Sequence, residues 1–286
     1  MSLIKYFLKA IGTVIRDHHM NSLVTVGAKF CDKYLSYYWN QKHYNMNKNG
    51  ELFLLQTLVT YWHRSFSYPI TVFDVGANIG TYTQLVRTNF QNSMIHCFEI
   101  VPDTYATLVA NLSGSNNIVI NGYGLSNRET FLSISCHGKN DTQAREASLL
   151  SEHQHKTIIC PVKTGDEYVT SQNIGFIDLL KIDTEGHEMA ILEGFSQTFF
   201  RNQIRVIQFE YGTTWIAPKR FLHEAYAILE PAGFQIGRLY PNGVFFKSYN
   251  RLEDDHFRMG NYVAIHQTEQ SLIKALNLNN RGKKIK

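Results

Sequence analysis

The chain has 286 residues, of which 44% are hydrophobic and 13% aromatic, a composition typical of a folded protein with one large core. Its formal charge of +4 comes from 28 Lys and Arg against 24 Asp and Glu. Four of these basic residues lie in the last six positions, so residues 1–280 are balanced. This balance excludes the basic footprint of nucleic-acid-binding proteins. We therefore expect no nucleic-acid partner and a basic, solvated tail over residues 271–286.

The four cysteines are far apart and form no C-x-x-C pair, so the sequence indicates neither a zinc site nor a redox motif. The N-terminal stretch MSLIKYFLKAIGTVIRD has a lysine inside its apolar run and no small-residue cleavage site, and no apolar run approaches the length of a membrane span. We therefore expect a cytoplasmic location and no membrane partner. The apolar residues of this stretch recur at helical spacing. The resulting amphipathic helix is expected to pack on its own domain, and membrane contact is the alternative.

Residues 69–270 alternate short β-rich runs with helical patterns, which is typical of βαβ units and a parallel sheet. Residues 1–68 lack this alternation and are predicted to form a helical cap. Helices are predicted from Thr81, from Pro102, from Glu188 and around KRFLHEAYAILEPAG. The predicted strands are, in chain order, ITVFDV, MIHCFEI, NIVINGYG, TFLSISC, TIICPV, IGFIDLLKID, IRVIQFEYG, FQIGRLY and NYVAIHQ.

An acid and two glycines follow the first predicted strand, in the motif DVGANIG. Gly76 and Gly80 tolerate backbone conformations that other residues avoid, and they have no side chain to hold a ligand away. The first strand-to-helix turn of an open parallel sheet usually contributes to a ligand site. The motif lacks the third glycine of a dinucleotide-binding fingerprint, and Asp74 would repel a diphosphate but attract a cation. The pattern therefore favours a cationic ligand without a diphosphate.

The second predicted strand also ends on an acid, Glu99, which comes 19 residues after Gly80. An acid at this place can accept hydrogen bonds from both hydroxyls of a ribose. S-adenosylmethionine has a ribose and a cationic amino-acid moiety but no phosphate, and it therefore fits both features. The alternative is that Asp74 and Glu99 are solvated strand ends and that the glycines only shape a turn.

Several longer blocks occur in order: FDVGANIGTYT, FEIVPDTYATLVANL, NGYGLSNRETFLSI, IDLLKIDTEGHEMAILEG, IQFEYG and NYVAI. Over about Glu51 to His266 the chain resembles the FkbM-type S-adenosylmethionine-dependent methyltransferases, most specifically in DLLKIDTEGHEMAILEG. The resemblance implies an α/β, Rossmann-like class I methyltransferase fold with a seven-stranded, mostly parallel sheet and an antiparallel last strand. It also implies methylation, mostly at oxygen, of a small-molecule, sugar or peptide acceptor, as in natural-product biosynthesis.

The resemblance further implies which residues contact S-adenosylmethionine. Glu99 would bind the ribose, and the GLS segment the adenine edge. Glu51, in the helix before the first strand, would reach the amino group; the alternative is that it is exposed on that helix. The remaining contacts implied by the resemblance come from Asp74, Gly76, Ala77, Asn78, Gly80 and Thr81 at the methionine end, from Asp183, and from Gly124, Leu125 and Ser126 of GLS.

Chemistry is expected where the fourth and fifth sheet strands end. Methyl transfer to a hydroxyl requires that the acceptor be aligned and its proton removed. The segment KIDTEGHE places Asp183, Glu185 and His187 at one strand-to-helix turn, and Glu210 ends the neighbouring strand. Either these carboxylates hold a divalent cation, or they act with His187 as a metal-free base, which the sequence favours. His187 could instead cap the helix, where Glu185 and Glu188 would complement the helix N-terminus.

The polar stretch from His137 to Lys156 is long enough to form a lid or an acceptor-recognition loop. Two other functions remain open at this stage. One is another transferase on the S-adenosylmethionine fold, and the other is a binding module without catalysis.

Overall fold

The structure is a computed structural model that describes residues 2–41, 44–62, 69–136, 145–146 and 156–280. Most of the predicted lid loop, from His137 to Lys156, lies outside the described residues. The chain divides into two compact units, residues 1–42 and residues 43–286. The first unit contains helices α1 (Ser2–Asp17) and α2 (Ser22–Tyr38). Asn21 caps α2, because its side chain accepts a hydrogen bond from the backbone N–H of Leu23.

The second unit is built on a central eight-stranded sheet. The strands of this unit are, in chain order, β1 (Ile70–Val75), β2 (Ser93–Phe98), β3 (Ile118–Asn121), β4 (Gly124–Ser126), β5 (Thr130–Cys136), β6 (Arg145–Glu146), β7 (Lys156–Thr164), β8 (Ile177–Ile182), β9 (Ile204–Tyr211), β10 (Phe234–Tyr240), β11 (Gly243–Phe246) and β12 (Gly260–His266). Its helices are α3 (Met46–Asn49), α4 (Glu51–Trp62), α5 (Thr81–Asn89), α6 (Pro102–Leu112), α7 (Gly165–Ser171), α8 (Glu188–Glu193), α9 (Ser196–Phe200), α10 (Leu222–Leu229), α11 (Arg251–Asp254) and α12 (Gln270–Leu276).

The strand order of the central sheet is β11-β10-β12-β9-β8-β1-β2-β3. Strands β3, β2, β1, β8 and β9 pair in parallel, and β12 inserts antiparallel between β9 and β10. This topology confirms the predicted Rossmann-like sheet with an antiparallel last strand. The sheet has one strand more than expected, because β11 adds an antiparallel edge strand next to β10. A second, four-stranded sheet has the order β4-β7-β5-β6.

Both faces of the central sheet are covered by helices. Alternating residues of β1 divide between the two cores, Phe73 and Val75 on one face and Ile70 and Val72 on the other. The first core includes side chains of α7, α8, α9 and α10, and the second includes side chains of α4, α5, α6 and α12. All residues of β8 are buried, as expected for a strand covered on both faces.

Two predicted boundaries change. Helix α4 belongs to the second unit, because Leu54, Leu55, Leu58 and Trp62 are buried in its core, so the N-terminal segment divides at residue 42 rather than 68. The core also continues past residue 270, because α12 buries Leu272, Ile273 and Leu276. The start of the solvated tail at residue 271 is therefore wrong, and the last six residues lie outside the described part of the chain.

Candidate active site

The turn between β1 and α5 joins three strand ends. The backbone N–H groups of Gly76 and Ala77 both donate to the carbonyl of Phe98 at the end of β2, each at 3.0 Å. Gly76 has a φ of 80°, and a Cβ there would lie 1.9 Å from the backbone oxygen of Asp183, just after β8. Gly80 has a φ of 90° and faces Leu108 of α6. At both glycines the close neighbour is therefore another part of the protein. The sequence had instead suggested that the missing side chains make room for a ligand.

Glu99 is fixed by the backbone on both sides. Its Oε2 accepts a hydrogen bond from the N–H of Asn78 at 2.9 Å, and its Oε1 accepts one from the N–H of Val101 at 2.9 Å. Burial raises the pKa of the Glu99 carboxyl, although these backbone donors favour its charged form. Each carboxylate oxygen has a second lone pair. Glu99 is therefore a fixed acceptor that can still take hydrogen bonds from hydroxyl groups.

A cavity lies at the carboxyl ends of the strands, between the central sheet and the small sheet. It contains about 720 Å³ of empty space, part of which is open to solvent. Polar groups from the ends of β1, β2 and β8 line one side, and apolar side chains of β5 and β7 line the other. The lining residues are Val75, Gly76, Asn78, Phe98, Glu99, Ile100, Val101, Gly124, Leu125, Leu132, Ile134, Val162, Asp183, Thr184, Glu185, His187 and Ile191.

The turn between β8 and α8 is held by a buried carboxylate. Glu188 accepts hydrogen bonds from the backbone N–H groups of Thr184, at 2.8 Å, and Gly186, at 3.0 Å. These donors precede α8, so the Glu188 carboxylate holds the turn, and the idea that Glu185 and Glu188 complement the helix N-terminus stays a prediction. Burial raises the pKa of Glu188 to about 7, although these N–H groups oppose the shift. Glu185 and Gly186 have φ values of 55° and 112°, so the turn presents the Glu185 and His187 side chains to the cavity.

His187 contacts the strand that was predicted to line the adenine. Its Nε2 lies 2.9 Å from the hydroxyl oxygen of Ser126, and it makes no side-chain capping bond to α8. Ser126 itself is buried, whereas Gly124 and Leu125 line the cavity. The structure therefore places His187 at the β4 side of the cavity.

A row of polar side chains crosses the sheet beneath the cavity. Strand register places Asp74 opposite Lys181, and Lys181 opposite Gln208. The Lys181 Nζ lies 3.4 Å from Oδ1 of Asp74 and 3.4 Å from Oδ2 of Asp183, and 4.8 Å from the centroid of the Tyr82 ring. Burial favours neutral lysine, but Asp74, Asp183 and Glu51 together raise the pKa of Lys181. The cation beside Asp74 is therefore a lysine of the protein itself.

Glu51 joins this row from helix α4. Its Oε1 accepts a hydrogen bond from Nε2 of Gln208 at 2.7 Å, and its Oε2 accepts one from Nδ2 of Asn49 at 2.8 Å. Burial raises the pKa of Glu51, and Lys181 opposes this shift. The interpretation of Glu51 as an exposed helix residue is therefore wrong. It does not line the cavity, so its predicted contact with an amino group stays a prediction.

Glu210 lies one position beyond the β8–β9 register pair Ile182–Phe209, so it neighbours Asp183 at the edge of the sheet. Within the described part of the chain, no group donates a hydrogen bond to its carboxyl. Burial, followed by repulsion from Asp183 and then from Glu188 and Glu185, raises the pKa of Glu210 well above its usual value. The site therefore contains two neighbouring carboxyl groups of different character: Glu210, whose pKa is raised, and Asp183, which is paired with Lys181.

The structure brings most of the predicted site residues to one edge of the sheet. Those that line the cavity are Gly76, Asn78, Glu99, Gly124, Leu125, Asp183, Glu185 and His187. Those that lie behind or beside it are Glu51, Asp74, Ala77, Gly80, Thr81, Ser126 and Glu210. Among the described residues, no group of three or more His, Cys, Asp or Glu side chains is arranged to hold a metal ion.

Sequence reasoning missed two parts of the site. One is Lys181, whose signal was a basic residue near the end of the otherwise mostly apolar strand IDLLKI. The other is the apolar wall formed by Ile100, Leu132, Ile134 and Val162. Strands β5 and β7, which carry Leu132, Ile134 and Val162, were predicted, but nothing in their sequence places them over the ends of β1 and β2.

Comparison with known proteins agrees with this arrangement. Residues 74–236, which include both strand-end acids and the β8 turn, match the Methyltransferase FkbM domain. The chain belongs to the FkbM methyltransferase family. The match covers more than half of the chain, so the family prediction is confirmed.

Among relatives of this FkbM chain, the hexuronic acid methyltransferase AglP of Haloferax volcanii is 28% identical over 54% of this chain and 62% of that protein. Methyltransferase 1 of Beauveria bassiana is 24% identical over 43% of this chain and 57% of that protein. The chain thus spans less than two thirds of the length of either relative. A solved structure of precorrin-6y C5,15-methyltransferase from Geobacter metallireducens is 14% identical, with a TM-score of 0.39, over 75% of this chain and 86% of that one.

Proposed function

We propose that this chain transfers a methyl group from S-adenosylmethionine to a hydroxyl oxygen of a sugar, peptide or other small-molecule acceptor. The observation that carries the proposal is the placement of two acids on one cavity, Glu99 after β2 and Asp183 after β8, with a third acid, Glu210, beside Asp183 at the end of β9. Membership of the FkbM family supports methyl transfer as the reaction.

The residues of the cavity fit the parts of the donor. The Glu99 carboxylate can accept hydrogen bonds from ribose hydroxyls, while Ile100, Leu125 and Ile134 offer apolar surface to a flat base. Asp183 contributes negative charge where a sulfonium or ammonium would be favoured. S-adenosylmethionine supplies the methyl group when bound. The protein's part is to align the acceptor oxygen with it and to exclude water.

We assign proton removal to Glu210. An acceptor hydroxyl must lose its proton when the new carbon–oxygen bond forms, and a carboxylate with a raised pKa is a better base at neutral pH than an ordinary one. Asp183 is already paired with Lys181 at 3.4 Å, and His187 contacts Ser126 at 2.9 Å, whereas described residues donate no hydrogen bond to the Glu210 carboxyl. Under this assignment Asp183 orients the acceptor, and the proton passes to a Glu210 oxygen.

Charge at this edge favours a hydroxyl acceptor over a carboxylate acceptor. Asp183, Glu185 and Glu210 cluster there, with Lys181 as the cation between the strands. A carboxylate brought to this place would be repelled, although it would need no base. AglP is named for a hexuronic acid, which has both kinds of oxygen. Hexuronic acid glycosides and neutral hexose glycosides are therefore the first acceptors to test, with methylation expected at a ring hydroxyl.

Calorimetry tests donor binding. We expect S-adenosylhomocysteine to bind, and NAD, used as the control ligand, not to bind. Glu99→Ala should weaken binding by about tenfold or more, because hydrogen bonds to a charged group contribute about 1.5–3 kcal/mol each. Asp103→Ala is the matched control, since Asp103 is an exposed acid four residues further along the chain.

Circular dichroism must show that Glu99→Ala stays folded, because the substitution also removes an acceptor from the N–H groups of Asn78 and Val101. A folded Glu99→Ala variant with wild-type affinity would contradict the assignment of the ribose site. Donor binding without production of S-adenosylhomocysteine from any acceptor in the panel would favour the binding-module alternative.

A further inference from the structure

The first compact unit has an apolar surface that its own helices leave open. Along α2, the side chains of Leu23, Val26, Phe30, Tyr34 and Tyr37 are between 62% and 80% exposed. They follow one another at spacings of three or four residues, which places them on one face of the helix. No residue of α2 is buried. We refer to these five residues as the α2 stripe.

Helix α1 has separate apolar and basic faces. Ile11, Val14 and Ile15 recur at spacings of three and one and are 40–57% exposed. Lys5, Lys9 and Arg16 are also exposed, and their spacings of four and seven residues place them together on the other side of the helix. A helix with an apolar face and a Lys/Arg-rich polar face is typical of segments that lie in a lipid–water interface.

Basic charge is concentrated in this unit. Residues 1–42 contain six Lys and Arg against two Asp, whereas residues 43–280 contain 18 Lys and Arg against 22 Asp and Glu. On α2, Lys29 and Lys33 are exposed one turn apart, and the Lys33 Nζ lies 4.9 Å from the centroid of the Tyr37 ring. Cations and exposed aromatic side chains therefore occur together along the α2 stripe.

The combination of apolar, aromatic and basic side chains favours a lipid bilayer over a second copy of the unit as the partner that covers the α2 stripe. A second copy of the unit would bring equal positive charges together, and the cores of protein interfaces are depleted in Lys. An anionic bilayer accepts all three components, because apolar side chains enter the acyl boundary, Tyr rings lie at the headgroup level, and Lys and Arg attract anionic headgroups.

We propose that residues 1–42 bind the surface of an anionic lipid bilayer, with α1 and α2 lying in the interface. The described helices include none that is long and apolar enough to cross a membrane, so the proposal is surface attachment. It departs from the sequence-based expectation that the chain has no membrane partner. It also stands apart from the methyl-transfer proposal, because neither the cavity nor its acids take part.

Sedimentation of the full chain with vesicles tests the proposal. The probes are phosphatidylcholine vesicles with and without phosphatidylserine. We expect at least about tenfold tighter binding to the vesicles that contain phosphatidylserine, and weaker binding as salt rises. Phe30→Glu and the double variant Lys29→Glu/Lys33→Glu should each reduce this binding by about tenfold or more.

Phe200→Glu is the matched control, because Phe200 is 83% exposed on α9 in the second unit, and its binding should equal that of the wild type. Equal binding to both kinds of vesicle, or full binding by Phe30→Glu, would overturn the proposal. A third pair of results would also overturn it: light scattering shows a stable dimer that Phe30→Glu dissociates, and vesicles with phosphatidylserine bind no protein. The α2 stripe would then be the contact surface for a second copy of the chain.

Discussion

Replacing Lys181 by Met should leave the buried carboxylate of Asp74 without its cation. Asp74 is fully buried, and its Oδ1 lies 3.4 Å from the Lys181 Nζ. The attraction of Asp74, Asp183 and Glu51 raises the pKa of Lys181 despite burial, so the lysine keeps its charge at neutral pH. Lys181→Met is close in volume, and it therefore removes charge with little change in packing.

Removing one partner of a buried ion pair typically costs about 3–5 kcal/mol, because the other charge stays buried. Asp74 keeps one hydrogen bond, from the Thr83 hydroxyl at 2.7 Å. Asp183 is more exposed, with 38% of its side chain accessible, so water can screen its charge. We therefore expect Lys181→Met to lower the free energy of unfolding by about 3 kcal/mol, the low end of that range. Adding Asp74→Asn should recover most of this loss, because no buried charge is then left unpaired.

Urea unfolding at pH 7, followed by circular dichroism, measures these differences. Lys274→Met is the control, since Lys274 is exposed on α12 and the same substitution there should change the free energy of unfolding by less than about 0.5 kcal/mol. A loss below about 1 kcal/mol in Lys181→Met would refute the reasoning. A double variant as unstable as Lys181→Met alone would also refute it, because the unpaired Asp74 charge would then not be the cause.

Three further predictions concern catalysis and the glycine turn. Glu210→Gln should slow methyl transfer by about 10²–10⁴-fold. It should also abolish the rise of kcat/KM with pH, because that rise reflects the deprotonation of the wild-type Glu210 carboxyl, whose pKa is raised. An unchanged pH profile would exclude Glu210 as the base. Gly76→Ala should lower the thermal unfolding midpoint far more than Gly114→Ala, because both have a φ of 80° but only at Gly76 would a Cβ meet backbone; equal shifts would contradict this. Chelators should leave turnover unchanged, and His187→Ala should slow it by less than about tenfold, since we assign proton removal to Glu210. If a chelator abolishes activity and magnesium restores it, the metal alternative is favoured.

The ends of the central strands were predictable because local sequence determines them. Apolar runs that stop at Asp74 and Glu99, each followed by a helical pattern, indicate βα units whatever the rest of the chain does. The carboxyl ends of parallel strands meet at one edge of a sheet, so the same runs also predicted that Asp183 and Glu210 lie near them. In the structure Glu99 and Asp183 line the cavity and Glu210 lies beside Asp183, whereas Asp74 lies inside β1 and is fully buried.

The role of Lys181 was not predictable, because it depends on register. Its partner Asp74 is 107 residues away, and the two meet only because β1 and β8 pair with those residues opposite each other. A shift of one residue would turn Lys181 to the other face of the sheet. The left-handed backbone of Gly76 was predictable from the local turn sequence. Its close neighbour, the carbonyl of Asp183, was not, because it too depends on how β1 and β8 pair.

The insertion of β12 between β9 and β10 has a consequence for the order in which the sheet can fold. Among the described strands, β10 and β11 reach the rest of the sheet through β12, although both precede it in the chain. Until Gly260–His266 pairs, the β10–β11 hairpin stays detached from the central sheet, and one edge of β9 stays open. Non-local pairing of this kind is slow because loop closure precedes the contacts that reward it. A folding intermediate in which β12 has not yet paired therefore exposes an unpaired, apolar edge of β9, and such edges favour aggregation.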